Sequence, residues 1–351
     1  MGSTNKIILI TGGAGFIGSN FIHHLLGKSD DINVINYDKL TYAGNPANLR
    51  DLEDHPHYLF VKGDICSSQD LSAVFKRFSP DYVINFAAET HVDRSILNPE
   101  AFARTNIIGV QNLLKISLDS GIKKYIQIST DEVYGSLGES GYFTEQTPLS
   151  PHSPYSASKA SADLLTQAYN TTYGLSTVIT RCSNNYGPYQ FPEKLIPLII
   201  LNCLRGKKIP IYGDGLNIRD WLYVEDHCSA IDSVILNGVP GGVYNIGGNN
   251  EKTNIEITEL IIRTLAEILP EAGISEDLIT YVEDRKGHDR RYAIDSTKIT
   301  KELGWMPATS FEEGIRETIH WYLNNKDWLF STYSHEYREY YSMNYGGNQY
   351  D

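Results

Sequence analysis

The chain has 351 residues, 41% of them hydrophobic and 21% charged, with a formal net charge of −13 at pH 7, a composition that suits a globular protein of one large or two modest domains. The acidic balance, without a block of Lys or Arg, argues against a nucleic-acid partner, and no apolar run of about 18 residues predicts a membrane span. The chain runs almost directly into a strand without a signal peptide, and Cys66, Cys182, Cys203 and Cys228 show no metal-ligand spacing, so we expect a cytoplasmic protein without a metal site.

The first predicted element is a short apolar strand over residues 6–11, typical of a parallel strand buried on both faces. It leads into a turn with glycines at Gly12, Gly15 and Gly18, and then into an apolar-striped helix that we expect to stop at Gly27. Strand, glycine-rich turn and helix together predict a dinucleotide-binding unit. The N–H groups at the start of such a helix can hold a pyrophosphate.

The second predicted strand, residues 33–37, ends in Asp38, twenty residues after Gly18. An acid at this place is expected to bind the ribose hydroxyls of the adenosine half of a dinucleotide. Its charge also repels a 2′-phosphate, so the sequence favours NAD over NADP. A cap of the next turn is the alternative role for Asp38.

Two more strands follow at residues 58–62 and 82–86, and helical patterns at 71–78 and 101–118 separate them. This alternation of strand and helix predicts an α/β fold with a doubly wound parallel sheet. His91, just beyond the fourth strand, is either a ligand contact or a structural histidine.

The most informative stretch begins with an apolar strand around residues 125–128, which ends in Thr130, Asp131 and Glu132. Open α/β sheets bind their ligands at such strand ends. Downstream, Tyr155 and Lys159 lie one helical turn apart on one face. The ammonium is expected to lower the pKa of the phenol, which could then take a proton from an alcohol while hydride leaves the same carbon. A surface helix and a helix N-cap are the structural alternatives.

The later half is less regular. A strand is predicted at residues 176–182, followed by an amide-rich loop, and a helix opens at Glu193 with an N-terminus suited to a phosphate. Arg219 is a candidate for a bidentate pyrophosphate contact. Residues 284–291 form the densest basic patch of the chain, which is either a solvated loop or a ligand contact.

These separated motifs resemble the extended short-chain dehydrogenase/reductase superfamily, many of whose members act on nucleotide sugars. The strand-end triplet from Thr130 to Glu132 narrows the resemblance to the dTDP-glucose 4,6-dehydratases, because sugar 4-epimerases of the superfamily usually carry a small or hydroxyl residue in place of Asp-Glu. The resemblance runs from about residue 6 to about residue 325 and rests on the following motifs: Gly12-x-x-Gly15-x-x-Gly18, Asp64-Ile65, Ala87-Ala88, Thr130 and Tyr155-x-x-x-Lys159.

The resemblance implies an NAD-dependent lyase that converts dTDP-glucose to dTDP-4-keto-6-deoxyglucose for deoxysugar or L-rhamnose synthesis. Tyr155 is the implied base at the C4 hydroxyl, Lys159 its partner and a ribose contact, and Thr130 a hydrogen-bond donor to the C4 oxygen. Glu132 is implied to remove the C5 proton and Asp131 to protonate the departing C6 hydroxyl. The alternatives to this function are another nucleotide-sugar dehydratase, a 4-epimerase, or a non-catalytic NAD-binding protein.

The expected contacts fall into two sets. The expected NAD-binding residues are Gly12, Gly15, Phe16, Ile17, Gly18, Asp38, Lys39, Leu40, Thr41, Asp64, Ile65, Phe86, Ala87, Ala88, Thr105, Tyr155, Lys159 and Asn185. The expected substrate-binding residues are Thr90, Thr130, Asn184, Glu193, Lys194, Leu195, Pro210, Tyr212, Arg219, Asn254, Arg285 and His288.

For the domain organisation, we expect residues 1–185 to form the NAD-binding domain, to which segments around 220–250 return, including a helix at 224–236 and a strand at 243–246. Residues 186–325 mainly form a substrate-binding lobe, and residues 326–351 are a Tyr-rich tail. Helices at 101–118 and 156–169 are expected to pair between two subunits of a homodimer.

Overall fold

The computed structural model describes residues 5–332. Its strands are β1 (Lys6–Thr11), β2 (Ile32–Asp38), β3 (Tyr58–Lys62), β4 (Tyr82–Asn85), β5 (Lys124–Thr130), β6 (Thr177–Cys182), β7 (Asn184–Tyr186), β8 (Ile209–Tyr212), β9 (Ile218–Tyr223), β10 (Val243–Ile246), β11 (Glu251–Thr253) and β12 (Ile279–Val282).

Its α-helices are α1 (Phe16–Lys28), α2 (Ser68–Phe78), α3 (Val92–Leu97), α4 (Pro99–Phe102), α5 (Val110–Asp119), α6 (Pro154–Tyr173), α7 (Leu195–Arg205), α8 (Val224–Asn237), α9 (Asn254–Ile268), α10 (Thr297–Leu303), α11 (Phe311–Asn324) and α12 (Lys326–Ser331). A π-helical stretch, Ala103–Gly109, joins α4 to α5, and short 3₁₀ helices include Asp131–Tyr134 directly after β5.

A seven-stranded parallel sheet in the order β10-β6-β5-β4-β1-β2-β3 forms the centre of the molecule. Its strands are apolar on both faces because helices cover both. Ile8 and Ile10 of β1 pack in one hydrophobic core, while Leu9 between them packs in another on the opposite face. The predicted doubly wound sheet is therefore confirmed, and its carboxyl strand ends form one edge.

The helices of the two layers follow from the same pattern. Phe21 of α1 and Ile231 of α8 complete the first core, and Leu113 of α5 and Ala162 of α6 belong to the second. Phe21 is fully buried, so Phe21→Ala is expected to cost about 3–5 kcal/mol of folding free energy.

A third core belongs to the smaller part of the molecule. It gathers Ile199 of α7, Ile261 of α9 and Ile315 of α11 around the small sheet β11-β9-β7. A separate parallel pair, β12-β8, lies beside it. Strand β10 pairs with β6 at the edge of the large sheet, and α8 packs on α1, so the chain crosses between the two parts more than once. The domain limits themselves remain a prediction.

Several predicted boundaries were wrong. Helix α1 continues through Gly27 to Lys28, because a helix tolerates an internal glycine at a modest cost. Asn184 and Asn185, predicted in a loop, form strand β7 with a parallel partner in β9. By contrast, the helix expected to open within residues 193–195 does so, since it begins at Leu195 with Lys194 as its N-cap.

The Tyr-rich tail lies mostly outside the described residues. Its first part, α12, packs in the core of the smaller part through Leu329 and reaches the large-sheet part through the Trp328 indole, which donates a hydrogen bond to Asn48 Oδ1 at 2.8 Å. Across residues 5–332 no helix is long and apolar enough to cross a membrane. Within the same span no group of His, Cys, Asp and Glu side chains is arranged to hold a metal ion.

Candidate active site

A deep cleft opens at the carboxyl ends of the large sheet, between the two parts of the molecule. It contains about 1540 Å³ of empty space, open solvent at its mouth included. The turns after β1, β2, β4, β5 and β6 all contribute to its wall. The cleft therefore follows the carboxyl ends of most strands of the large sheet, where open α/β sheets bind their ligands.

The glycine-rich turn brings bare backbone to this cleft. Gly12 has φ +71°, and a Cβ on it would lie 2.5 Å from the Ala87 amide nitrogen, while a Cβ on Gly18 would lie 2.4 Å from the Gly12 carbonyl oxygen. Helix α1 starts at Phe16 behind its N-cap Gly15, and among the described residues no side chain caps it there. Its first N–H groups are thus available to an anion in the cleft.

Asp38 is held by its own neighbours. Its two carboxylate oxygens accept hydrogen bonds from Ala14 N at 2.9 Å and from Leu40 N at 2.7 Å. Leu40 has φ +58°, which turns the chain back toward the carboxylate. Burial raises the pKa of Asp38, while the two N–H groups oppose that rise. An acid fixed in the cleft wall in this way suits ribose hydroxyls.

The predicted NAD-binding residues gather as expected: every one except Leu40 lines the cleft. Leu40 contributes its amide to Asp38 instead. These positions fit a dinucleotide because backbone, small side chains and an uncapped helix N-terminus face the space where a pyrophosphate would lie.

Local sequence also fixes the two elements that carry the candidate catalytic groups. Thr130 ends β5, and its hydroxyl accepts a hydrogen bond from Glu132 N at 3.3 Å, which caps the short 3₁₀ helix carrying both carboxyls. Helix α6 begins with Pro154 in its first turn and with a reciprocal capping box between Ser153 and Ser156. Tyr155 therefore lies in the first turn of a helix whose N-terminus is stabilised by capping.

The adjacent carboxyls differ in their surroundings. Asp131 is 1% exposed, lies behind the cleft lining, and has Oδ2 without a hydrogen-bond partner in the described residues. Burial, with the charges of Glu132 and Asp220, raises its pKa well above the usual range. Glu132 lines the cleft; burial also raises its pKa, but Arg285, Lys194 and Arg219 oppose that rise. Asp131 is therefore the carboxyl that more readily keeps a proton.

Tyr155 and Lys159 both line the cleft, but the expected lowering of the Tyr155 pKa by Lys159 is wrong for the residues of this chain alone. Burial and the negative charge of Glu132 raise the pKa of Tyr155, and a hydrogen bond with Thr130 opposes this. The Lys159 ammonium donates to the Ile128 carbonyl at 2.6 Å, and burial lowers its pKa. Thr130 and Tyr155 thus form a hydroxyl pair at the floor of the cleft.

The predicted substrate-binding residues divide into two groups. The first group lines the cleft and consists of Thr90, Thr130, Asn184, Glu193 and Lys194. The second group lies outside that lining and consists of Leu195, Pro210, Tyr212, Arg219, Asn254, Arg285 and His288.

Arg219 is not the free fork that the sequence indicated. Its guanidinium is buried and donates to the carbonyls of Ile218 at 2.7 Å and Asp289 at 2.8 Å, and it lies 4.2 Å from the centre of the Tyr292 ring. These contacts engage Nη1 and Nη2 and anchor the guanidinium on the protein. From there Arg219 adds positive charge near the Asp131 and Glu132 carboxyls.

Three residues of the second group do meet one another. The Tyr212 hydroxyl donates to Asp93 Oδ2 at 3.3 Å, and Arg285 Nη1 lies 3.9 Å from Asp93 Oδ1. The Tyr212 ring is in edge contact with the His288 ring, with 6.2 Å between the ring centroids. The charge of Arg285 reaches both Glu132 and His91. This cluster lies close to the cleft on the side of the smaller part.

Sequence reasoning missed several residues of the cleft wall. Tyr37 belongs to a strand end already identified, so its position next to Asp38 was a usable signal. Side chains between the known motifs carried no such signal, and they line the cleft as follows: Glu89, Ser129, Cys182, Ser183, Gln190 and Phe191.

Comparison with known proteins agrees with this geometry. A family profile described as GDP-mannose 4,6 dehydratase matches residues 9–318. A dTDP-glucose 4,6-dehydratase of Neisseria meningitidis serogroup B is 52% identical over 345 residues, which cover 94% of this chain and 97% of the relative.

Two crystal structures are similar over almost the whole chain. The dTDP-glucose 4,6-dehydratase of Bacillus anthracis in complex with NAD has a TM-score of 0.86 at 52% identity and covers 93% of this chain and 99% of its own. The dTDP-glucose 4,6-dehydratase of Streptomyces venezuelae, also with NAD bound, has a TM-score of 0.88 at 46% identity with the same coverages, 93% and 99%.

Proposed function

The chain belongs to the GDP-mannose 4,6 dehydratase family, and on this premise we propose the residues that carry its reaction. The protein is an NAD-dependent hydro-lyase that converts dTDP-glucose to dTDP-4-keto-6-deoxyglucose. The observation that carries the assignment of roles is the adjacent pair of carboxyls with different surroundings, next to the hydroxyl pair of Thr130 and Tyr155.

The NAD-binding residues are those at the strand ends. The pyrophosphate is held at the N-terminus of α1, the adenosine ribose by Asp38, and the remainder of the dinucleotide lies along Ala87, Ala88 and Lys159. When bound, NAD supplies a hydride acceptor for C4 of the sugar and the hydride donor for C6.

Oxidation at C4 requires a group that takes the hydroxyl proton. Tyr155, ionised to its phenolate, has this role, because its side chain faces the cleft beside Thr130, which hydrogen-bonds the same C4 oxygen. Lys159 supports it by holding the ribose, with its ammonium anchored on the Ile128 carbonyl.

Elimination of water across C5 and C6 then requires a base and an acid, and the two carboxyls have these two roles. The 4-keto group makes the C5 proton acidic, and Glu132, kept ionisable by Arg285 and Lys194, removes it as the general base. Asp131, whose pKa is raised well above the usual range by burial, gives its proton to the C6 hydroxyl, which leaves as water. Two neighbouring carboxyls thus act as acid and base in one step.

We also propose a homodimer and a cytoplasmic location. Helices α5 and α6 with the π-helical stretch before them present large exposed apolar side chains at Ile108, Leu164 and Tyr173. Such side chains suit contact with the same helices of a second copy. Light scattering at micromolar concentration tests this, and a monomer contradicts it.

The reaction is tested by following the hydrogens of the substrate. With dTDP-glucose carrying deuterium at C4, in ordinary water and without added reductant, the deuterium should appear at C6 of the product while C5 takes up a solvent proton. Return of the deuterium to C4, with inversion there and the C6 oxygen retained, is the result of a 4-epimerase and contradicts the proposal. A requirement for added reductant contradicts it as well.

A further inference from the structure

Two segments that are far apart in sequence line neighbouring parts of the cleft wall. One is the turn after β2, represented by Thr41, Ala43 and Gly44; the other is the loop before α7, represented by Gln190 and Phe191. The first belongs to the large-sheet part and the second leads into the smaller part. Whatever joins these two segments closes the wall of the cleft between them.

Side chains from both segments meet at one point. The Tyr42 ring is in edge contact with the Phe191 ring, with 5.9 Å between the ring centroids. Arg94 of α3 lies between the segments: its guanidinium carbon is 3.8 Å from the centre of the Tyr42 ring, and its Nε donates to Glu193 Oε2 at 3.0 Å. One cation therefore holds an aromatic ring of the first segment and a carboxylate of the second.

The ion pair in this contact is largely removed from water. The side chain of Glu193 is 2% exposed and that of Arg94 is 21% exposed. Burial raises the pKa of Glu193, while the charges of Lys194 and Arg94 oppose that rise. Loss of Arg94 leaves the Glu193 carboxylate buried without this partner, which is strongly unfavourable in general. The Glu193 side of the contact should therefore open only rarely.

We propose that Tyr42, Arg94 and Glu193 form a latch, a bridge between the two parts of the molecule that retains NAD in the cleft from one turnover to the next. The inference rests on the proposed function, in which the cofactor is restored at the end of each cycle and has no need to leave. Parting of Tyr42 from Phe191 opens this wall beside a dinucleotide bound along the strand ends, so the closed contact slows its release. Arg94 and Tyr42 are positioning residues, since they act through the closed wall.

The test measures release of NAD directly. Holoenzyme loaded with radiolabelled NAD is diluted into excess unlabelled NAD, and the label retained on the protein is followed over time. Arg94→Met and Tyr42→Leu should each release NAD at least about tenfold faster than wild type, because loss of a partner in a buried contact acts on the dissociation rate. At saturating NAD, kcat should stay within about threefold of wild type in both variants, since weaker binding of the cofactor alone does not change kcat.

Arg316→Met is the matched control, because it removes an arginine from an exposed ion pair with Glu267. It should leave the release rate, kcat and thermal unfolding unchanged. If Arg94→Met does not fold, Tyr42→Leu decides the question alone, since it leaves the ion pair in place. Wild-type release rates in a folded Tyr42→Leu protein overturn the latch. That result is distinct from failure of the proposed function, in which the wild-type protein would not convert dTDP-glucose at all.

Discussion

The two sides of the cleft are built in different ways. On the side of the strand ends, the wall is backbone: Gly12 approaches Ala87 so closely that a Cβ has no room, and Asp38 is fixed by two amides of its own turn. On the opposite side, the groups that matter are charged side chains from distant segments, such as Arg285 beside Asp93 and Arg94 beside Glu193.

The two sides should therefore respond differently to substitution. A wall of backbone depends on main-chain geometry and changes little when a neighbouring side chain is replaced. A wall of charged side chains changes its electrostatic potential when one charge is removed, and removal of Arg285, Lys194 or Arg219 acts on the pKa of Glu132. Substitution of the proposed catalytic groups should have the largest effect on activity. Substitution of the charged residues opposite them should have an intermediate effect, and substitution of the acid held by backbone amides should have the smallest.

The largest expected effect is that of Glu132→Gln, which removes the proposed general base from the cleft wall. We expect kcat to fall roughly 10²–10⁴-fold. The 4-keto sugar that still carries its C6 hydroxyl should then accumulate, as detected by quenching the reaction and mass spectrometry. Tyr155→Phe should be similarly slow but accumulate no 4-keto sugar, because oxidation itself is blocked. The same intermediate in both variants would show that the two residues do not act at separate steps.

Asp131→Asn should have a smaller effect, about 10²-fold in kcat, because the amide can still orient the C6 hydroxyl but cannot protonate it.

The dependence of activity on pH is the sharper measurement for Asp131. Asp131 has a raised pKa and acts when protonated, so its contribution is lost as the pH rises through that pKa. Glu132 acts when ionised, so activity is lost as the pH falls through its raised pKa. The alkaline limb of the wild-type profile should disappear in Asp131→Asn; its persistence would exclude Asp131 as the acid.

The same contrast explains how much could be predicted from the sequence. The strand-end side is made of consecutive residues after apolar strands, so the glycine turn, Asp38 and Ala87-Ala88 could be found from local patterns. The triplet after β5 was found in the same way. These are positions whose neighbours in space are also neighbours in sequence or in strand order.

The other side could not be predicted to the same depth, because its contacts join residues far apart in the chain. Nothing local to Arg219 shows that its guanidinium is used by the carbonyls of Ile218 and Asp289. Nothing local to Tyr42 indicates that Arg94 stacks on it. The raised pKa of Tyr155 has the same origin, since burial depends on the whole fold rather than on the spacing to Lys159.

Arg285→Met tests the charged side of the cleft, and its expected effect on activity is intermediate in size. Arg285 is the strongest of the charges that hold the pKa of Glu132 down, so its removal should raise that pKa further. The acidic limb of activity should then move to higher pH, as measured from the pH dependence of kcat/KM. Lys286→Met, at the exposed next residue, is the matched control and should leave that limb unmoved. An unmoved acidic limb in Arg285→Met contradicts the coupling to Glu132.

The smallest effect is expected on the backbone-built side, for Asp38→Asn. The carboxylate accepts one hydrogen bond on each oxygen, from Leu40 N and Ala14 N, whereas an amide offers only one acceptor. One of the two N–H groups therefore loses its partner, and the ribose loses a charged acceptor. We expect NAD to bind about fivefold more weakly, a loss of about 1 kcal/mol.

The preference against NADP should also relax, because the charge that repels a 2′-phosphate is gone while the glycine turn is unchanged. Binding of both dinucleotides to apo protein, measured by calorimetry, checks this. An unchanged ratio of NAD to NADP affinity would show that the backbone of this side, and not the Asp38 charge, selects the cofactor.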